Sequence, residues 1–175
     1  LEGIDLTKVE INLDCCPDKA VDVAKALVEY IKAKGAVETF RGSIAFNPLR
    51  KALRHGAPLC DCVVSKAVAL IEAIKDIPAL RVIDVDSAMF CNAGAFIYEE
   101  LGYALAWGAQ WMTALTEAGV SVDEAARRIK FDMGVSSNFF MEIAKFRAGR
   151  MLWADIVKQY KPADEAVAKM MVHAS

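Results

Sequence analysis

Strand-like and helix-like segments alternate along this chain, and that alternation limits its fold more than any other feature. Apolar segments typical of β-strands occur at residues 9–13, 37–46, 80–86 and 129–135. Strands that alternate with helices form parallel sheets through right-handed crossovers. Four strands in about 150 residues are half of what an eight-stranded barrel needs. We therefore predict an α/β fold, a partial TIM-type (β/α) barrel with about four parallel strands and flanking helices.

Proline, glycine and capping residues predict the helix boundaries. We expect helices over residues 17–35, 48–53, 60–75, 93–118, 121–128 and 139–160. Ser121 and Glu124 form a capping-box pattern at the start of the fifth of these helices. Residues 161–175 carry a weaker helical pattern. The predicted organisation is a barrel domain over residues 1–160 and a C-terminal helical tail over residues 161–175.

The composition is that of a folded domain with much apolar surface to cover. Of the 175 residues, 55% are hydrophobic and the mean hydropathy is +0.27, which excludes a disordered chain. The 21 Lys and Arg against 23 Asp and Glu leave no basic excess, so we expect no nucleic-acid partner. Glu99 and Glu100 interrupt the longest apolar region, so we expect no membrane span. The apolar excess indicates strands buried on both faces, or a subunit interface.

The cysteines and the N-terminus predict a reducing compartment. No basic region followed by an apolar one occurs at the start of the chain, so we expect no secretion signal. The five cysteines are an odd number, and we expect free thiols in the cytoplasm. Zinc binding by Cys60 and Cys62 with Cys15 and Cys16 is an alternative. Free cysteines behave more often as small buried hydrophobes, so we expect no metal site.

Generic catalytic motifs do not occur, and the remaining polar candidates each have two interpretations. Asp84 and Asp86 point to one face of a predicted strand and could act as acid and base, but capping of nearby backbone amides is favoured. His55 could carry a proton, although such a histidine more often makes a hydrogen bond near a helix end. Trp107 and Trp111 share a helical face and indicate core or a subunit interface rather than a ligand platform.

Three segments carry a resemblance to a known family. Residues 138–154 read Asn-Phe-Phe-Met-Glu-Ile-Ala-Lys-Phe-Arg-Ala-Gly-Arg-Met-Leu-Trp-Ala, residues 92–108 include Glu-Glu-Leu-Gly-Tyr-Ala-Leu-Ala-Trp-Gly, and residues 42–44 read Gly-Ser-Ile. This pattern resembles the adenosylcobalamin-dependent methylmalonyl-CoA mutases over about residues 40–160. The resemblance implies a (β/α)₈ substrate domain whose axis holds the coenzyme A arm, of which this chain supplies four β/α units.

The chain departs from the family where the family binds its substrate. Ala88 and Met89 stand where catalytic chains carry a Tyr-His pair, and the histidine of that pair donates a hydrogen bond to the thioester carbonyl. Ser43-Ile44-Ala45 replaces Thr-x-Gln, and His55 replaces a carboxylate-binding arginine, with Arg54 beside it. The resemblance thus implies a vestigial substrate pocket with no catalytic or cofactor-binding residues, at Ser43, Ala45, Arg54, His55, Asp86, Ala88 and Met89.

The resemblance implies a structural role in an isomerase complex. The chain is similar to the small, non-catalytic subunits of heterodimeric members, whose partner is a catalytic large subunit. The complex interconverts succinyl-CoA and methylmalonyl-CoA with adenosylcobalamin. We expect this chain to bind no cofactor, because it lacks the family's Asp-x-His-x-x-Gly motif.

Two alternatives remain open at this point. One is a catalytic acyl-CoA mutase that binds a CoA ester and works through Arg54, His55 and Asp86. The other is an unrelated α/β interaction domain. A partial barrel exposes strand edges, so we also expect the isolated chain to form a homo-oligomer.

Overall fold

The structure is a computed structural model that describes residues 3–56 and 58–174. It has five strands and seven α-helices in alternation, and the chain divides into two compact units, the first ending at Asp84 and the second beginning at Val85. The strand order in the sheet follows the chain, β1-β2-β3-β4-β5, with the elements defined below. The pairings β1–β2, β2–β3 and β4–β5 are parallel. Sequential parallel strands with helical connections confirm the predicted partial (β/α) barrel class.

The first unit contains two complete β/α repeats and most of a third strand. Its elements are β1 (Ile11–Asp14), a 3-10 turn (Pro17–Lys19), α1 (Ala20–Ala33), β2 (Gly42–Phe46), α2 (Pro48–His55), α3 (Val63–Ala73) and β3 (Leu80–Asp86), whose last two residues belong to the second unit. Strand β2 is buried at every position, as expected for a parallel strand covered on both faces. Gly42 is required there, because a Cβ would lie 2.1 Å from the carbonyl oxygen of Ile11.

The second unit packs its helices on a core built around Phe131 and Trp153. Its elements are α4 (Ala88–Asn92), α5 (Ile97–Glu117), α6 (Val122–Arg128), β4 (Ile129–Met133), α7 (Phe139–Gln159), a 3-10 turn (Glu165–Ala168) and β5 (Val172–Ala174). The Phe131 and Trp153 rings meet edge to face with centroids 4.8 Å apart. Trp111 is buried on α5, which confirms its core assignment, while Trp107 is half-buried with its ring 6.4 Å from that of Phe90.

Several predicted boundaries were wrong for local reasons. Strand β2 begins only at Gly42, since the amides of Thr39 and Phe40 donate to the Ala36 carbonyl and form a turn. Helix α5 begins at Ile97, after Gly94 with φ +96°, and the separate short helix α4 was not predicted.

The helical prediction for the tail was also wrong. A 3-10 turn over Glu165–Ala168 is followed by β5, whose Val172 and His173 pair with Phe131 and Asp132 of β4. The proposed domain boundary at residue 160 remains a prediction.

Candidate functional site

The first candidate site is a cleft at the carboxyl ends of β1 and β2, the side of parallel strands where (β/α) folds place their polar groups. Helix α2 starts directly after β2 because Asn47 caps it, its side-chain oxygen accepting the Arg50 amide at 2.9 Å, and Pro48 occupies the first turn. Gly56, with φ +62°, follows the last residue of the helix. This short helix carries four of the cleft's basic or titratable side chains, at Arg50, Lys51, Arg54 and His55.

The cleft, called here the α2 cleft, has a volume of about 470 Å³. It is lined by Asp14, Cys15, Cys16, Pro17, Asn47, Arg50, Lys51, Arg54 and His55. Arg50 Nη2 lies 2.9 Å from Asp14 Oδ1, and Lys51 Nζ lies 3.0 Å from Asp18 Oδ2. Arg54 forms no ion pair with any residue in the ranges that the structure describes. The α2 cleft therefore presents one unneutralised guanidinium beside His55, an arrangement suited to an anionic group.

Asp18 ties the segment before α1 to α2 and α3. Its two carboxylate oxygens meet Lys51 at 3.0 Å and Lys66 at 2.8 Å. Hydrogen bonds from Lys66 and Lys51, followed by their charges, lower the pKa of Asp18 to about 2. This exposed cluster fixes one wall of the α2 cleft and leaves Lys51 neutralised.

Ser43 and Ala45 lie on β2 and offer little to a ligand. Ser43 is buried and donates its hydroxyl to Asn12 Oδ1 at 2.5 Å, so the hydroxyl is engaged with β1. Ala45 is buried opposite Asp14 in the strand register and presents only a methyl group. Neither residue supplies the amide that the resemblance expects at the substrate.

The Asp84 carboxylate contacts another buried side chain of the first unit. It is buried, and its Oδ2 lies 3.5 Å from the Asn47 side-chain nitrogen. Asn47 in turn caps α2, so Asp84 contacts the side chain of the capping residue; the expected capping of backbone amides by Asp84 itself remains a prediction. Asp86 belongs to the second unit and is half-buried.

In the second unit the segment after β3 is anchored by hydrogen bonds of Ser87, but the next two side chains, Ala88 and Met89, carry no proton donor. Ser87 is buried, its amide donating to the Asp132 carbonyl at 2.8 Å and its hydroxyl bonding Glu100 Oε1 at 3.2 Å. Ala88 is buried and Met89 half-buried. A methyl group and a thioether cannot donate a hydrogen bond to a carbonyl oxygen.

A buried ion triad stabilises the segment after β4, and the sequence did not predict it. Lys145 Nζ lies 2.7 Å from Glu100 Oε2, 2.6 Å from Glu142 Oε2 and 2.6 Å from the Gly134 carbonyl oxygen. The ammonium thus donates hydrogen bonds to Glu100 and Gly134 and forms a close ion pair with Glu142. Burial works against the charged forms, but these contacts outweigh it, so the pKa of Lys145 is raised and that of Glu142 lowered.

The carboxylates of the triad also accept hydrogen bonds from the segments that follow β4 and β3. Glu100 Oε1 accepts the Gly134 amide at 2.7 Å, and Glu142 Oε1 accepts the amide and hydroxyl of Ser136 at 2.9 and 2.6 Å. Through Ser87, the same Glu100 oxygen also reaches the segment after β3. The available sequence signal was a glutamate inside an apolar helix, Glu100, which needs a buried partner.

The predicted site residues thus fall into two groups. Arg54 and His55 come together in the α2 cleft, with Ser43 and Ala45 on the neighbouring strand of the same unit. Asp86, Ala88 and Met89 lie in the second unit. A single vestigial pocket built from all seven remains a prediction.

The prediction of five free thiols was wrong for two cysteines. Cys60 and Cys62 are joined by a disulfide, with their Cα atoms 5.1 Å apart, in the turn before α3. The turn brings together two side chains that a regular strand or helix would point apart. Their sulfur atoms are thus unavailable to zinc as thiolates. Among residues 3–56 and 58–174, no group of three or more His, Cys, Asp or Glu is arranged to hold a metal ion.

None of the described helices is both long enough and apolar enough to span a bilayer.

Comparison with known proteins identifies the family. The family model described as methylmalonyl-CoA mutase matches residues 1–175. The chain is 46% identical over 161 residues to the methylmalonyl-CoA mutase small subunit of Porphyromonas gingivalis, covering 91% of this chain and 26% of that protein. It is 30% identical to the small subunit of Streptomyces virginiae, covering 90% and 26%, and 37% identical to a probable large subunit of Mycobacterium bovis, covering 98% and 23%. The chain spans about a quarter of the length of these curated relatives. The chain belongs to the methylmalonyl-CoA mutase family.

Proposed function

We propose that this chain is a non-catalytic scaffolding segment of a mutase small subunit. In this proposal it pairs with a catalytic large subunit, and the complex interconverts succinyl-CoA and methylmalonyl-CoA. The relatives named above include both small and large mutase subunits, which supports a two-subunit enzyme. The observation that carries the proposal is the half-buried Met89, a side chain without a proton donor where the family resemblance expects the catalytic histidine.

The loss of one preorganised donor reduces an enzymatic rate by about 10²–10³. Here the thioester donor is replaced by Met89, and the substrate-binding amide by Ala45. The Ser43 hydroxyl, on the same strand as Ala45, is engaged with Asn12. With both contacts absent, the segment is expected to support structure rather than turnover.

The cofactor is proposed to be held elsewhere in the complex. The family resemblance implies that adenosylcobalamin would be bound through an Asp-x-His-x-x-Gly motif. His173 Nδ1 lies 3.2 Å from Asp132 Oδ1 on β4, and His55 ends α2; neither belongs to that motif. The donor set of this chain does not fit the cofactor, and we assign no chemical step to cobalamin here.

The outer face of α7 supports a protein partner. Phe140 is 81% exposed and Met151 is 63% exposed, on the side of the helix away from the buried Trp153. Ile143 lies between them in the same stripe, with the exposed Arg147. Exposed apolar groups of this size are typical of interfaces rather than of free surface. We therefore propose that this face contacts the large subunit in the complex, which is proposed to be cytoplasmic. We also propose that the isolated chain self-associates through it.

The α2 cleft favours one competing function, a catalytic acyl-CoA mutase that holds a CoA ester. The unpaired Arg54 and the adjacent His55 could bind a substrate carboxylate. Asp86 is the remaining candidate acid–base group of that alternative.

Isothermal titration calorimetry of this chain with succinyl-CoA separates the two functions. The scaffold proposal predicts no binding at micromolar ligand. Arg54→Met tests the alternative, and Lys158→Met, on the exposed end of α7, is the charge-matched control. Micromolar binding that Arg54→Met abolishes and Lys158→Met leaves unchanged would overturn the scaffold proposal.

A further inference from the structure

The Cys60–Cys62 disulfide contributes little as a cross-link. The loop that it closes contains a single intervening residue, Asp61. The stabilisation expected from a disulfide falls as the closed loop shortens, because less freedom is removed from the unfolded chain. A bridge of this kind therefore needs another explanation than stability of the fold.

The bridge is accessible to a reagent. Cys60 and Asp61 are exposed and Cys62 is half-buried. Cys60 also borders a cavity of about 170 Å³ that includes Lys51, Lys66 and Leu59. An external sulfur atom can therefore reach Cys60 from solvent; Lys51 and Lys66, which line the same cavity, are paired with Asp18.

The start of α3 favours release of Cys62 as a thiolate. Cys62 is the N-cap residue of this 11-residue helix, and its side chain makes no capping hydrogen bond, while its amide donates to Cys60 Sγ at 3.2 Å. An N-cap side chain ordinarily accepts the amide of the second or third helical residue, here Val64 or Ser65. The positive end of the helix stabilises a thiolate at that position. Reduction would thus supply the cap that the disulfide form lacks.

We propose that Cys60 and Cys62 form a reversible thiol–disulfide exchange site whose substrate class is dithiols. A thiolate of the dithiol attacks Sγ of Cys60, the Cys60–Cys62 bond breaks, and Cys62 Sγ leaves with the electron pair. The second sulfur of the dithiol then attacks the first in the mixed disulfide and releases Cys60. The dithiol loses two electrons and two protons, and the cysteine pair gains both. Disulfides in a reducing compartment are usually of this transient kind.

Tryptic digestion reports this site separately from the other cysteines. Peptide 55–66 contains Cys60 and Cys62 only, whereas Cys15 and Cys16 fall in peptide 9–19 and Cys91 in peptide 82–127. The folded chain is equilibrated with mixtures of reduced and oxidised dithiothreitol, quenched in acid, alkylated and digested. Mass spectrometry then measures the bonded and doubly alkylated forms of peptide 55–66.

The proposal predicts that the bonded and doubly alkylated forms of peptide 55–66 interconvert fully without denaturant, whether the chain starts reduced or oxidised. The control variant Cys91→Ser should show the same interconversion. Reduction that occurs only in urea would overturn the proposal, because the bridge would then be sealed in the fold. A reduced chain that never forms the bonded peptide, or that joins it to peptide 9–19 instead, would overturn it as well.

Hydrogen exchange tests the assigned leaving group. In the reduced chain the amides of Val64 and Ser65 should exchange about tenfold more slowly than in the oxidised chain, as expected for one added cap. In Cys62→Ser the serine side chain supplies the cap, so the Val64 and Ser65 amides should exchange slowly in both reducing and oxidising buffer. Equal rates in the oxidised and reduced chain would overturn the role of Cys62 at the helix start.

Discussion

Replacement of Lys145 by methionine should be among the most destabilising single changes in the second unit. The Lys145 and Glu100 side chains are fully buried, and Glu142 is 6% exposed, so the substitution leaves two carboxylates without their cation. Breaking a buried pair by removing one partner costs about 3–5 kcal/mol. The Gly134 carbonyl also loses a donor, so we expect the upper half of that range.

Urea unfolding followed by circular dichroism measures the effect. With an m-value of about 1–3 kcal/mol/M, the unfolding midpoint of Lys145→Met should fall by roughly 2 M. Lys158→Met is the matched control, since its 3.9 Å pair with Asp155 is exposed and worth less than about 1 kcal/mol. The loss should shrink at low pH, because the triad lowers the pKa of Glu142 and its stabilisation is lost in the wild type as Glu142 becomes protonated. A change within about 1 kcal/mol of wild type, at neutral pH, would refute the assignment of the triad as a stabilising centre.

Three further outcomes follow from the structure. Gly108→Ala should cost about 1–3 kcal/mol in thermal unfolding, because its Cβ would lie 2.7 Å from Trp153 and 2.8 Å from Phe131; an unchanged Tm would contradict this packing. Asp18 has a pKa lowered to about 2 from 3.8, so its ion pairs contribute stability above pH 3.8 that is lost as the pH falls towards 2. Asp18→Asn should flatten that part of the acid unfolding curve, and an identical curve would count against the cluster. In sedimentation velocity the isolated chain should run as an oligomer at roughly tens of micromolar, whereas a stable monomer would contradict the proposed apolar interface.

The local parts of the fold were predictable because their signals are local. The run from Leu80 to Asp86 is rich in β-branched residues, and it forms β3 over those residues. Ser121 was predicted to cap α6, and its hydroxyl oxygen accepts the Glu124 amide at 3.3 Å. Such patterns need no knowledge of distant contacts.

The missed features depend on distant partners. Strand β5 has three residues, too few to show a period, and exists because Val172 and His173 pair with β4. The triad joins Glu100 on α5 to Lys145 on α7, 45 residues apart. The Cys60–Cys62 bridge depends on the turn geometry before α3. Of the candidate site, the basic character of the α2 cleft could be predicted from Arg54 and His55, but the neutralisation of Arg50 and Lys51 could not.

Steady-state turnover of the assembled small and large subunits, with Met89→Ala in the small subunit, tests the central claim most directly. Since the Met89 thioether donates no proton, the variant should keep kcat and KM within about twofold of wild type, and size-exclusion chromatography should show an intact complex. A fall in kcat of about a hundredfold or more, the loss expected for a preorganised catalytic group, in a complex that stays assembled, would contradict the account.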